Sequence, residues 1–497
     1  MKKIFIYATL VTFLSTACNL DINDDPNNPK DVDVTADLVL PSAENYIANA
    51  LGDQMFSYAG FFAQYFEQQP EFNQYNHYAE LQIDEGTQLL DRTYRNLYAG
   101  AFEDLADILS RTDNQADRYV CTILRVWGYQ IFVDNVSDAP YTEALKGAAL
   151  TMPKWDDGKT IFEGLLAELD QAEHDLSDSQ MNLKDPLLRN DMSQWRGFAN
   201  ALRLRIYLRL IDAGIDAASY TKKIVALASK GHFFKNDITY NVFSNAEGQY
   251  APWYDAIFAL KACNYCAAYP LVSYMLSTAD PRIGYAMKRN EKKGMYVGQI
   301  PGTKSKMKEW TNETWKNENV SAIDADKFKA EPIYVFTQSE LQFLLAEVFL
   351  RFANRVHDAS KAYRAAVEAD FKSRGVEKQC DEFLTNKNVD FDQQPSVSEQ
   401  LNLIYMQKWV AFFMRNHMEA WSEQRRTDVP AVSKATAQEV LKGSENYTPG
   451  DLIVPAVNNI QGGGLAKRVP YPSNARRFNK NTPEEKKMSV RVFWDVK

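Results

Sequence analysis

Histidine and cysteine are scarce in this sequence, with five of each among 497 residues. A metal centre built from His and Cys needs several such ligands at fixed spacings, so this scarcity argues against an elaborate one. Basic excess is also missing. Lys and Arg number 56 against 65 Asp and Glu, a net charge of −9. A protein that neutralises nucleic-acid phosphates needs the opposite balance, so no nucleic-acid partner is expected. HExxH, GxSxG, Walker and GxGxxG motifs are all absent, and with them the usual signs of metalloprotease, hydrolase, nucleotide or dinucleotide chemistry. Carboxylates are plentiful, yet a glycosidase pair must stand about 5 to 9.5 Å apart, and no spacing here specifies that. The histidines (His77, His174, His232, His357 and His417) are scattered and suggest no base. Hydrophobic residues at 45% and charged residues at 24% exclude wholesale disorder. What is abundant is aromatic: 26 Tyr, 27 Phe and 9 Trp. That abundance raises the question of flat, apolar-faced ligands.

The N-terminus sets the compartment. Lys2 and Lys3 precede an apolar run from Ile4 to Leu14, the length of a signal core and too short to span a bilayer. Leu14-Ser15-Thr16-Ala17-Cys18 follows and resembles a bacterial lipoprotein signal, in which Cys18 becomes the lipidated first residue. The next stretch, NLDINDDPNNPKDVD, reads as a solvated tether. Its acidic residues Asp21, Asp24 and Asp25 resemble the tract that sends some lipoproteins to the outer face of an outer membrane. No later apolar run could span a membrane. Without Lys2 and Lys3 the mature chain holds 54 basic and 65 acidic residues, a net −11.

Helical periodicity dominates the remainder. It predicts helices over 42–69, 86–111, 115–134, 158–176, 193–213, 217–230, 337–354, 358–373, 396–416 and 418–427. Ser193, the pair Asp156 and Asp157, and Asp358 are the expected N-cap signals of three of them, and Gly214 and Gly231 the expected stops of two. Ala359-x3-Tyr363-x2-Ala366 resembles the back half of a tetratricopeptide repeat. Residues 232–335 and 428–497 show little periodicity and read as long loops with a use of their own. The expected fold is mostly α, a tetratricopeptide-like helical-repeat scaffold with large irregular loop insertions. Residues 1–17 would be the signal peptide and 18–36 the tether. A single domain over 37–497 would comprise scaffold (37–231 and 336–427), ligand-loop insertion (232–335) and a loop-rich C-terminal part (428–497).

Seven segments in order resemble the SusD/RagB family of nutrient-binding outer-membrane lipoproteins. They are DNVSDAPYTEAL (134–145), MPKWDDGKTIFEGLLAELDQA (152–172), DMSQWRGFANALRLRIYLRL (191–210), PIYVFTQSELQFLLAEVFLR (332–351), QKWVAFFMRNHMEAWSEQRRTDVP (407–430), RVPYPSNARRFN (468–479) and VFWD (492–495). Read physically, these motifs are structural. Trp195, Phe198, Leu202 and Tyr207 form one helical face, and Glu347 and the Arg425/Arg426 pair are candidates for partly buried ion pairs, with Arg425 or Arg426 as one half of such a pair. The resemblance implies a lid on a SusC-like TonB-dependent outer-membrane transporter, with loops that capture glycans and no catalytic machinery.

A sugar offers an apolar C–H face to an aromatic ring and hydroxyls to amides and charged groups. Aromatics on Asn- and Gln-rich irregular segments are therefore the better ligand candidates. Such segments are YFEQQPEFNQYNHY (65–78), QYAPWY (249–254), NYCAAY (264–269) and the surroundings of Trp310 and Trp315. The candidate residues are Tyr75, Tyr78, Trp253, Tyr254, Tyr265, Tyr296 and Trp310; for any single one, packing its own loop onto the scaffold is the favoured reading, while at least one cluster is expected to bind ligand. Cys263 and Cys266 could form a small-loop disulfide, stay as buried thiols, or, less in keeping with their neighbours, serve redox or zinc chemistry. Cys121 falls on a helical pattern and reads as core. The expected protein is a cell-surface lipoprotein, with no cofactor, that binds oligosaccharide and passes it to its transporter. The rivals are a peptide binder in the same kind of complex, an exported glycoside hydrolase, and an assembly scaffold without small ligand.

Overall fold

A computed structural model describes residues 35–84, 86–261, 263–460 and 463–497. The signal segment, Cys18 and all but the end of the tether lie outside the described residues. Helices carry the architecture: α1 (Ala36–Gly52), α2 (Gln54–Phe62), α3 (Phe102–Arg111), α4 (Gln115–Val136), α5 (Gly158–Asp175), α6 (Met192–Asp212), α7 (Ala217–Lys230), α8 (Pro252–Leu260), α9 (Tyr269–Ser277), α10 (Gln338–Arg351), α11 (Val356–Ser373), α12 (Val397–Phe412) and α13 (His417–Thr427). Neighbours in sequence pack as pairs, α4 on α5, α6 on α7, α10 on α11 and α12 on α13. This is the tetratricopeptide-like scaffold expected from the periodicity.

Local chemistry explains the starts. Asn114 and Asp157 accept hydrogen bonds from the backbone N–H of Asp117 and Thr160, and so cap α4 and α5. α6 is capped by Asp191, whose carboxylate accepts from the N–H of Ser193 and Gln194, so the cap lies two residues before the expected Ser193. Asp358 lies in the first turn of α11, ion-paired to Arg355, and not at its cap. In α11 the buried residues Ala359, Ala362, Tyr363 and Ala366 let α10 approach closely.

The long run 42–69 is not one helix. Asp53 departs from helical geometry, and Gln64 takes a left-handed φ of 54°. Gln64 reads backbone through its side chain: its amide donates to Ile453 O at 2.6 Å and accepts from Ile453 N–H at 2.8 Å. Past it the chain becomes strand β1 (Phe66–Gln68). In the run 86–111 the helical course begins at Asp91 and passes through a π-helical stretch, Asn96–Ala101, before α3. α12 stops at Phe412, ahead of the expected end. The turn after it holds Met414 at φ 57°.

The stretch 232–335 is more ordered than its weak periodicity suggests. It carries α8, α9 and the strands β2 (Ile238–Tyr240), β3 (Tyr265–Ala267) and β4 (Ile333–Phe336). β2 pairs with β4 and β3 with β1, both antiparallel. The C-terminal motifs return to the end of α4. Val469 N–H donates to Asn135 O at 3.2 Å, Arg468 donates to Val136 O at 2.8 Å, and Trp494 donates to the Asp134 carboxylate at 2.9 Å. One apolar core runs from Val39 to Trp494 and takes side chains from every part of the chain.

Buried charge networks bind the scaffold, and two of them join its central helices. Arg426 reaches Glu347 at 2.7 Å, Glu423 at 2.6 Å and Asp212 at 2.6 Å, and Lys408 joins through Glu423. Arg205 forks onto Glu340 at 2.6 and 2.7 Å, while Arg209 lies 3.0 Å from both Asp134 and Glu419. Of the two arginines it is Arg426 that forms a buried ion pair, and Glu347 is one of its partners. Among the described residues Arg425 has no ion-paired carboxylate. It donates to the carbonyls of Trp421, Asp134 and Lys467 and lies 3.7 Å above the Trp421 ring.

Candidate ligand groove

The pairing of β1 with β3 brings Phe66 opposite Ala267, Glu67 opposite Cys266 and Gln68 opposite Tyr265. Single bridges then add Ala322 beside Cys266 and Gln299 beside Ala268. The first loop after the scaffold's opening helices is in this way stitched to the insertion. Cys263 and Cys266 are free thiols. Burial pushes the Cys263 thiol up to about 11, which keeps it protonated and unreactive near neutrality.

Four of the seven chosen aromatics share one layer beneath this junction. Tyr75 stacks on Tyr265 at 4.5 Å between ring centres and on Tyr78 at 6.0 Å, and Trp253 lies parallel to Phe66 at 5.9 Å. Tyr78, Trp253 and Tyr265 are buried, Tyr265 to 1% exposure, whereas Tyr75 is half-buried. The Tyr265 hydroxyl shares a 2.8 Å hydrogen bond with Ser57, and burial raises its pKa well above the ordinary tyrosine value. These rings back the surface, and Tyr75 reaches it. Tyr254 stands apart. Its hydroxyl donates to Asp326 at 2.9 Å, at the edge of a second hollow shared with Lys261, Cys263 and Lys288.

Tyr296 leads to the most sugar-like surface, an open and mainly apolar groove of about 560 Å³. Its rings are Tyr269, Tyr296 and Trp315, all half-buried, and its wall includes Leu276, Gln299 and Val440. Trp310 packs behind it, against the small cluster of Ile300, Ala435, Ala437, Val440 and Ile453. The structure therefore places Tyr296 in the groove and Trp310 behind it, whereas Tyr75, Tyr78, Trp253 and Tyr265 form a separate layer.

Tyr269 and Trp315 were not among the chosen residues. Both belong to the polar-flanked segments singled out above, but nothing in their spacing ranks them over their neighbours. Trp315 is held by a relay: its indole N–H donates to Gln299 Oε1 at 2.7 Å, and Gln299 Nε2 donates to Thr303 Oγ1 at 2.7 Å. Gln299 is buried, so its amide is committed to positioning the ring. Tyr269 meets Tyr447 at 5.5 Å. Gly298 makes the approach of the two segments possible, because a Cβ there would sit 2.4 Å from the Tyr269 Cα.

The loop carrying Tyr75 is pinned to the same face. Glu71 N–H donates to the Asn317 side chain and Asn317 N–H to the Glu71 carboxylate, each at 3.0 Å. Lys304 donates to Phe72 O and Asn73 Oδ1. Among the described residues no cluster of three His, Cys, Asp or Glu side chains could hold a metal ion.

Residues 26–447 match the model of the SusD-like family described as "Starch-binding associating with outer membrane". The match spans most of the chain, which therefore belongs to that family. No curated protein sequence matches it. Among solved structures, a chitin-binding protein is similar over 93% of this chain and all of its own, with 20% identity and a TM-score of 0.69. A Bacteroidetes SusD-like protein (19%, TM-score 0.72) and a SusD homologue from Bacteroides fragilis (19%, TM-score 0.71) each cover the same 93% and are themselves covered in full. At these identities the likeness is one of fold. The family is associated with the outer membrane. No helix among the described residues is long and apolar enough to cross a membrane.

Proposed function

We propose that this protein is a non-enzymatic, surface-exposed lipoprotein that captures oligosaccharides and delivers them to a SusC-like TonB-dependent transporter. Cys18 would carry the lipid, and the acidic tether would place the domain on the outer face of the membrane. The observation that carries the reading is the groove of Tyr269, Tyr296 and Trp315, with Trp315 fixed by Gln299. Rings held at half exposure offer flat apolar faces to sugar C–H groups, and the phenolic hydroxyls of Tyr269 and Tyr296 suit the hydroxyl edges. Tyr75 extends the surface, with Tyr78, Trp253 and Tyr265 behind it. Trp310 supports the groove, and Tyr254 lines a neighbouring hollow. Family membership supports glycan capture, and so does the similarity in fold to a chitin-binding protein.

The test is a calorimetric screen of glycans and peptides on protein lacking residues 1–18, a deletion that leaves every described residue in place. Binding of at least one oligosaccharide is expected, weakened about tenfold or more by Tyr296→Ala with Trp315→Ala, since base-like stacking contacts contribute about 1–3 kcal/mol per ring. Binding of peptides alone, or turnover of a bound glycan, overturns the reading.

A further inference from the structure

The charge of the chain is unevenly placed. Residues 288–316 hold eight Lys and Arg against three Glu, a net +5 inside a chain of net −9, so everything outside the segment sums to −14. This segment supplies Tyr296, Gln299, Met307 and Trp315 to the groove. Only two of the eight cations are ion-paired among the described residues: Lys288 with Asp324 at 3.1 Å and Lys306 with Glu309 at 3.2 Å. Lys304 is spent on Phe72 O and Asn73. Arg289, Lys292, Lys293, Lys308 and Lys316 are exposed and have no carboxylate in ion-pair reach.

Arg289 is the best placed. Its guanidinium lies 4.6 Å from the centre of the Tyr296 ring and donates one hydrogen bond, at 3.2 Å, to Gly294 O. A guanidinium held by a ring and a carbonyl keeps further N–H donors free and loses little freedom when it binds an anion. Lys308 and Lys316 directly follow the groove residues Met307 and Trp315. Exposed unpaired cations attract anions over about 10 Å at moderate salt, whereas the acidic remainder of the molecule repels them.

We infer that the groove selects anionic oligosaccharides, glycans bearing carboxylate or sulfate groups, with Arg289, Lys308 and Lys316 reading the charge at the rim while Tyr296 and Trp315 take the ring faces. This deepens the proposed function and rests on it. Two chemistries supply the same negative charge, uronic acids and sulfate esters, and the probes separate them.

The experiment titrates protein lacking residues 1–18 with oligogalacturonides (carboxylate only), κ-carrageenan oligosaccharides (sulfate only) and neutral maltoheptaose, at low and at about 300 mM salt, beside vesicles of anionic phospholipid. Expected is binding of at least one anionic series about tenfold or more tighter than maltoheptaose, weakening with salt. The variant Arg289→Gln/Lys308→Gln/Lys316→Gln should lose most of that preference with its melting temperature unchanged, because all three side chains are exposed. Equal or tighter binding of maltoheptaose, or a preference untouched by the triple variant, overturns the inference and leaves glycan capture standing. Binding to vesicles alone overturns it in favour of a membrane-facing patch. Binding to no glycan, charged or neutral, overturns the proposed function as well.

Discussion

Arg425 and Arg426 are adjacent in α13 yet meet opposite surroundings. Arg426 is enclosed by Glu347, Glu423 and Asp212. Replacing it with Met would leave those carboxylates buried without their cation, which costs about 3–5 kcal/mol in comparable sites. Arg425 donates to three backbone carbonyls and to the Ser422 hydroxyl, and burial pulls its pKa down to about 9. Arg425→Met should therefore destabilise less than Arg426→Met, and chemical denaturation of the two variants checks the order. The sequence pointed to a pair involving one of these arginines; which of them takes it depends on what faces each side of the helix. His417 offers a second test. Its ring accepts a hydrogen bond from Met414 N–H, donates to Phe56 O at 2.8 Å, and burial holds its pKa down at about 3, below its ordinary 6.5. Below pH 6.5 the unfolded chain binds a proton that the folded chain refuses. The stability of this group is thus complete above pH 6.5 and declines toward pH 3, by up to about 1.4 kcal/mol per pH unit. His417→Gln should be less stable than wild type at pH 7, and the gap should narrow on acidification. A constant gap between pH 7 and 4 would assign the acid loss to other groups.

Helices were largely legible because their apolar periodicity is long and their caps are local. Asp157 and the 115–134 run illustrate both. The broken run 42–69 was not legible, since Gln64 leaves the helix to bond Ile453, nearly four hundred residues away. The same limit applies to the strands. β1 and β3 are three residues each, too short for an alternating pattern to show, and exist because they find one another. Their pairing buries Tyr265, Tyr78 and Trp253, which had looked like surface loop rings. At this scale Gly298 is the sensitive point. Gly298→Ala would drive a methyl into the Tyr269 backbone and part the bridge between Ala268 and Gln299. A loss of about 1–3 kcal/mol is expected, together with weaker binding of any groove ligand. Unchanged affinity in the calorimeter would mean that the groove does not depend on this contact.

Across the whole molecule, capture and anchoring are separate properties. Under the proposed function Cys18→Ser should release the protein from the outer-membrane fraction while the purified domain keeps its groove and its melting temperature. Persistence in that fraction after detergent-free washing would mean that another surface holds it there. The sequence alone determined the class of fold, the compartment expected from its first residues, the expectation of a binder over an enzyme, and the pool of loop aromatics from which a site could be drawn. Each of these rests on local signals: periodicity, capping, composition and ordered motifs. Only the tertiary structure decided which rings stand half-exposed, that Gln299 holds Trp315, and that the basic segment 288–316 supplies wall residues to an aromatic groove. Exposure and proximity are set by what packs opposite a residue, and here the opposing residues come from segments that are remote along the chain.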